Sequence, residues 1–159
     1  MYKVADIKIS FNSTITIGAD VFFAGCNRKN KCTNCHNPEL WDRNSGNDMD
    51  KHEILSRIEI LGRMVKSVAL MGGEPLDRNG IMELVDLLKK RGYTVWLYTG
   101  YQKKYIPERL LKGVDYLKEG QYIEELKSNK SCFIASVNQN LWQNVNGKWV
   151  ELIRGVDLV

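Results

Sequence analysis

Cys26, Cys32 and Cys35 put three of the chain's four cysteines on one short stretch, FFAGCNRKNKCTNCHNPELW at 22–41. Five residues separate the first pair and two separate the second. A C-x-x-C bite lets two thiolates meet one metal centre, and thiolates are soft donors that suit zinc and iron–sulfur clusters. A structural zinc ion or a self-contained ferredoxin cluster takes four protein ligands. His36 is the next donor along, but it adjoins Cys35, and neighbouring side chains rarely aim at one tetrahedral ion. Cys132 lies in the apolar run SCFIAS, which is expected to be a strand that buries the thiol as a small hydrophobe. The set is one ligand short. It best suits a 4Fe–4S cluster on three thiolates, with the fourth iron open to an exogenous ligand. A zinc-binding or purely structural loop is the alternative.

A second group follows the apolar run SVAL in MGGEPL, residues 71–76. Gly72 and Gly73 let a ligand approach bare backbone and permit torsions that other residues resist. Glu74 adds a carboxylate beside exposed backbone groups, a surface that would suit a zwitterionic amino acid. Alone, the motif is equally an ordinary turn; beside an incomplete cluster it gains weight. Thr99 and Gly100 end the next apolar run, where a hydroxyl and a close backbone could meet the same ligand or merely turn the chain. Tyr101, Trp41 and Trp142 are candidates for a pocket wall or for core packing, and His52 is expected to face solvent.

These loops need elements to hold them. YKVADIKIS and ITIGADVFFAG read as strands, the second running into the cysteine loop. NSGND reads as a turn. In DKHEILSRIEIL, Asp50 and Glu53 resemble a capping box, and Ile54, Leu55, Ile58 and Leu61 share a helical face. KSVALMGG and YTVWLYTG read as buried parallel strands on either side of the helix GIMELVDLLKK. A weaker helix runs around 107–111, and Asn146–Gly147 joins two alternating arms as a hairpin. Alternating strand and helix predict a parallel α/β sheet with its site at the carboxyl ends of the strands, where all three loops fall. The 159 residues are too few for a complete eight-stranded barrel of about 250. A short, open partial (β/α) barrel with a mostly parallel sheet fits, as a single domain over 1–159.

The net charge of +4 is scattered, with its densest run at Arg28, Lys29 and Lys31, so nucleic acid is not expected as a partner. No apolar run has the length of a membrane span. The start MYKVADIKIS lacks the apolar core of a signal peptide, so a cytoplasmic location is expected. There, clustered cysteines serve metals or catalysis rather than disulfides.

With these motifs together, the chain resembles the radical S-adenosylmethionine superfamily and, within it, the anaerobic ribonucleoside-triphosphate reductase-activating proteins. The resemblance spans nearly the whole chain. It rests on the cysteine stretch, on LMGGEPL, on WLYTGY, and on the late GQYIEEL and ASVNQ segments. It implies that Cys26, Cys32 and Cys35 hold a 4Fe–4S cluster whose open iron is chelated by the amino and carboxylate groups of S-adenosylmethionine. It implies that Gly72, Gly73 and Glu74 contact the methionine part, with Glu74 near the ammonium, and that Thr99 approaches the ribose. Asn34 joins them as a cofactor-binding candidate. No residue beyond cluster and cofactor is implied as catalytic.

The implied reaction begins with one electron from a flavodoxin- or ferredoxin-type donor. Cleavage gives methionine and a 5′-deoxyadenosyl radical, which takes a hydrogen atom from a glycine of an anaerobic ribonucleoside-triphosphate reductase. Another glycyl-radical enzyme or a small molecule is the alternative substrate. Two features depart from the superfamily. Five residues, Asn27–Lys31, stand where three are usual, and Asn34 stands where an aromatic is frequent. Adenine contacts therefore do not carry over from aromatic-bearing relatives.

Overall fold

The computed structural model describes residues 1–158. Its centre is an eight-stranded sheet in the order β3-β1-β2-β4-β5-β6-β7-β8. The strands are β1 (Tyr2–Ser10), β2 (Gly18–Phe23), β3 (Asn47–Met49), β4 (Ser67–Gly72), β5 (Thr94–Tyr98), β6 (Tyr116–Glu119), β7 (Asn140–Val145) and β8 (Lys148–Arg154). The central block β2-β4-β5-β6 is parallel. Antiparallel strands flank it on both sides, β3 and β1 at one end and the β7–β8 hairpin at the other. The two edge strands do not pair with each other, so the sheet stays open.

Side-chain alternation explains the layers. Val68, Leu70, Val95 and Leu97 point to one face, where they meet the apolar stripes of α1 (Lys51–Ile60), α2 (Ile81–Lys90) and α3 (Glu108–Gly113). Ile54, Leu55 and Ile58 of α1 and Leu84, Val85 and Leu88 of α2 fill that layer. Each fully buried aliphatic side chain contributes about 1.5–3 kcal/mol. Ala69, Met71, Trp96 and Tyr98 point the other way, into a smaller layer with Phe133, Ile134 and Leu141. Asp50 caps α1 by accepting from the His52 and Glu53 N–H groups, both at 2.8 Å. The reciprocal half of a capping box is absent among the described residues, because Glu53 pairs with Arg57 instead. His52 is exposed as expected.

NSGND turns as expected at 44–46, in a short 3₁₀ turn, and its last two residues enter β3. Another expectation fails. SCFIAS is not a strand. Residues 131–135 form bends, and Ser136 makes only an isolated bridge with Lys127. The Gln139 side chain replaces the ladder: its Oε1 accepts from the Ala135 and Ser136 N–H groups at 2.9 and 3.2 Å, and its Nε2 donates to the Gly120 carbonyl at 2.8 Å. Cys132 is consequently exposed, not buried. Among the described residues no helix is long and apolar enough to cross a membrane.

Candidate functional site

The carboxyl ends of β4, β5 and β6 open into a cavity of about 470 Å³. Cys32 and Cys35 line it from the cysteine loop, Met71–Gly73 from β4 and its turn, Tyr98–Gly100 from β5, and Lys118 from β6. Residues in the 127–135 segment close the far side.

The glycine loop holds the root of the cysteine loop. Past the end of β4, the Gly73 N–H donates to the Phe23 carbonyl at 2.7 Å and the Glu74 N–H to the Gly25 carbonyl at 2.9 Å. Gly72 has φ +108°, and a Cβ there would lie 2.5 Å from the Phe23 backbone. A Cβ at Gly73 would overlap the Gly25 carbonyl. The paired glycines are thus required by the close approach of the two loops, as well as baring backbone to the cavity.

All three cysteines of the loop are free and half-buried. Burial pushes the Cys26 thiol up, partly offset by the Arg28 N–H. Cys26 sits at the root of the loop and does not line the cavity. Among the described residues no three His, Cys, Asp or Glu side chains converge on the position of a single ion. Three thiolates on one loop, two of them a C-x-x-C pair, are the soft donor set that an iron–sulfur cluster takes.

The five residues after Cys26 carry the loop across the strand ends. The Asn27 N–H donates to Asp77 Oδ2 at 2.5 Å, Arg28 Nη2 donates to Gln121 Oε1 at 2.9 Å, and Gln121 Nε2 donates to the Asn30 carbonyl at 2.9 Å. The Arg28 guanidinium lies 5.1 Å from the Tyr101 ring centre. Asn34, at φ +53°, is exposed and outside the cavity wall.

Glu74 corrects the sequence reading. Its carboxylate is not at an exposed surface but 1 % exposed, behind the wall. Oε1 accepts from Thr99 Oγ1 at 2.7 Å and from the Leu76 N–H at 3.1 Å, and Oε2 accepts from the Gly100 N–H at 3.0 Å. Burial raises its pKa, and those three bonds oppose the rise. Thr99 lines the cavity, yet its hydroxyl is committed to Glu74 and accepts the Tyr101 N–H at 3.1 Å. The two residues lock the β4 turn to the β5 turn. Trp41, Tyr101 and Trp142 lie off the cavity; Lys31 covers Trp41, and Trp142 donates to Glu119 at 2.6 Å.

Sequence reasoning missed Lys118. It projects into the cavity from β6, and burial pushes its ammonium down to about 8, with Cys32 acting the other way. It has no ion-pair partner among the described residues, and no Asp or Glu lines the cavity. Its inward face comes from the pairing of β6 with β5: Tyr116 and Lys118 share the sheet face of Trp96 and Tyr98. The cavity can accept an anionic group next to the cysteine loop.

Comparison with known proteins agrees with this geometry. Residues 17–142 match the model of a 4Fe-4S single cluster domain. The anaerobic ribonucleoside-triphosphate reductase-activating protein of Enterobacteria phage T4 is 32% identical over 136 residues, covering 81% of this chain and 85% of the phage protein. A 7-carboxy-7-deazaguanine synthase of Clostridium acetobutylicum is 35% identical over 96 residues, covering 55% of this chain and 40% of that enzyme. Among solved structures, QueE from Escherichia coli superposes with a TM-score of 0.57 at 15% identity, over 74% of this chain and 70% of QueE. At that identity the likeness is one of fold.

Proposed function

Because the chain belongs to the family of the anaerobic ribonucleoside-triphosphate reductase-activating proteins and carries a 4Fe-4S single cluster domain, we propose the following roles for its residues. Cys26, Cys32 and Cys35 hold a 4Fe–4S cluster, and S-adenosylmethionine occupies the adjoining cavity. The chain is a radical S-adenosylmethionine activase, and its substrate is a glycine of an anaerobic ribonucleoside-triphosphate reductase. The observation that carries this reading is the meeting of the three-cysteine loop and the glycine loop at one carboxylate-free cavity.

Together, bound cluster and S-adenosylmethionine supply reductive cleavage of a carbon–sulfur bond and, through it, removal of a hydrogen atom from glycine. The protein supplies position. Gly72 and Gly73 bring backbone to the methionine end. Lys118 offers the counter-charge for its carboxylate. Glu74 and Thr99 keep the two turns in register from behind the wall, rather than through a free carboxylate at the ammonium. Tyr98, Phe133 and Ile134 give the cavity apolar surface that excludes water. The exposed cysteine loop receives the electron from a flavodoxin- or ferredoxin-type donor, and the reaction takes place in the cytoplasm. The irregular side of the cavity, at 127–135, admits a glycine-bearing loop from the reductase.

The test is electron paramagnetic resonance on anaerobically reconstituted, reduced protein, with and without S-adenosylmethionine, followed by incubation with the reductase. A reduced 4Fe–4S signal that changes with the ligand, then a glycyl radical on the partner, is the expected result. Tightly held zinc with no cluster signal would overturn the reading.

A further inference from the structure

Arg78 is 6 % exposed, in the turn that follows the glycine loop. Its guanidinium donates from Nη1 to the Ala24 carbonyl at 3.0 Å, from Nη2 to the Gly25 carbonyl at 3.0 Å, and from Nε to the Glu74 carbonyl at 3.4 Å. Every acceptor is backbone. Arg78 makes no ion pair among the described residues. A guanidinium does not lose its proton inside a protein, so a full positive charge stays here. Burying an unpaired charge costs several kcal/mol, and an apolar side chain would fill such a space at less cost. Packing alone does not account for the residue.

The position of the charge does. Ala24 and Gly25 are the two residues immediately before Cys26. The Gly25 carbonyl receives both Arg78 Nη2 and the Glu74 N–H, so one oxygen ties the cysteine loop to the glycine loop twice. Gly25 has φ +99°, and a Cβ there would lie 3.0 Å from Arg78 Nη2, so the guanidinium lies against the bare side of that residue. Cys26, Asp77 and Glu74 lie within its electrostatic reach, as does the Arg43 guanidinium.

We infer that Arg78 is a positioning residue for the first cluster ligand and a fixed positive charge beside it. The inference rests on ligation of the cluster by Cys26. It has two separable consequences. The bonds to Ala24 and Gly25 hold Cys26 in register with Cys32 and Cys35, so loosening them lowers cluster occupancy. The charge favours the reduced, more negative cluster, so removing it makes the midpoint potential more negative.

The experiment uses the full chain, anaerobically reconstituted, with iron and sulfide content and an electron paramagnetic resonance redox titration as readouts. R78Q keeps donors near the two carbonyls without charge; R78K keeps the charge but not the fork. R78Q is expected to move the midpoint negative. R78K is expected to keep the wild-type midpoint while losing at least half its bound iron. A merely structural arginine would lower thermal stability in both variants without separating their potentials. A folded R78Q with an unchanged midpoint overturns the inference. Should R78Q fail to fold, R78K decides: a wild-type midpoint supports the fixed charge, and a midpoint moved negative overturns it. Absence of any cluster in the wild type would sink the activase reading itself, whereas a wild-type cluster indifferent to both variants sinks this inference alone.

Discussion

The cavity has one wall made of strand ends and one made of the irregular segment 127–135. The first is cross-braced by buried groups: Glu74 accepts three hydrogen bonds, Arg78 donates three, and the glycine loop continues the β2–β4 contact past the strands. The second has no ladder of its own. Gln139 and a few backbone bonds hold it, and Phe133 stacks on Trp96 with ring centres 5.5 Å apart. Order therefore concentrates where the cofactors must be held, and irregular backbone borders the side a macromolecular substrate would approach. Chemistry that aims a reactive atom needs the first kind of wall; admission of a partner loop needs the second.

Substitutions sharpen or break that contrast. The largest effect is expected at the cysteines: Ala at 26, 32 or 35 should abolish cluster assembly, read as loss of iron and of the reduced-cluster signal. Any variant that retains a full cluster would remove that cysteine from the ligand set. Next is Glu74→Ala, which strands the Thr99 hydroxyl and the Gly100 N–H behind the braced wall. It should cost about 2 kcal/mol of stability, measured by urea unfolding. A negligible cost would mean that this wall is not held as described.

Lys118→Met is a smaller perturbation. It should weaken S-adenosylmethionine binding roughly tenfold, about 1.4 kcal/mol, and leave a decarboxylated analogue unaffected. Equal weakening of both would show that Lys118 does not meet the carboxylate. The same lysine sets a pH signature in the free protein. Its pKa falls from 10.5 to about 8 on folding, so between these values the unfolded chain holds more protons and stability rises with pH. The wild-type-minus-K118M difference in unfolding free energy should climb across that window, and a flat difference would contradict the assignment. The smallest effect belongs to the irregular wall: Cys132→Ala should leave iron content and the cluster signal unchanged.

The parallel centre was legible because Val68–Leu70 and Val95–Leu97 are apolar runs whose burial requires layers on both faces. The placement of the cysteine loop beside MGG was legible for the same reason, since consecutive parallel strands carry their loops to one end. What stayed hidden depends on distant partners. SCFIAS has strand composition, but Gln139 and Gly120 fold its backbone into bends. Glu74 reads as a free carboxylate until the Thr99–Gly100 turn, twenty-five residues on, closes over it. Arg78 carries no local signal, because nothing near it in sequence reveals that the Ala24 and Gly25 carbonyls accept its guanidinium. Lys118 lies in the short run YLKE, whose inward face is set by its neighbours rather than by its own pattern.

The hold of Gln139 on the second wall bears on how this site can change over generations. An inserted residue in a paired strand turns every later side chain to the wrong face. The segment's ends meet at the single Lys127–Ser136 bridge and the Gln139 amide, and the residues between them, 129–134, pair with no strand, so their number is not counted by a ladder. Insertions and deletions there would reshape the mouth of the cavity while the braced wall and the sheet stay as they are. Descendants of this chain could fit a differently shaped partner loop without relearning how to hold the cluster.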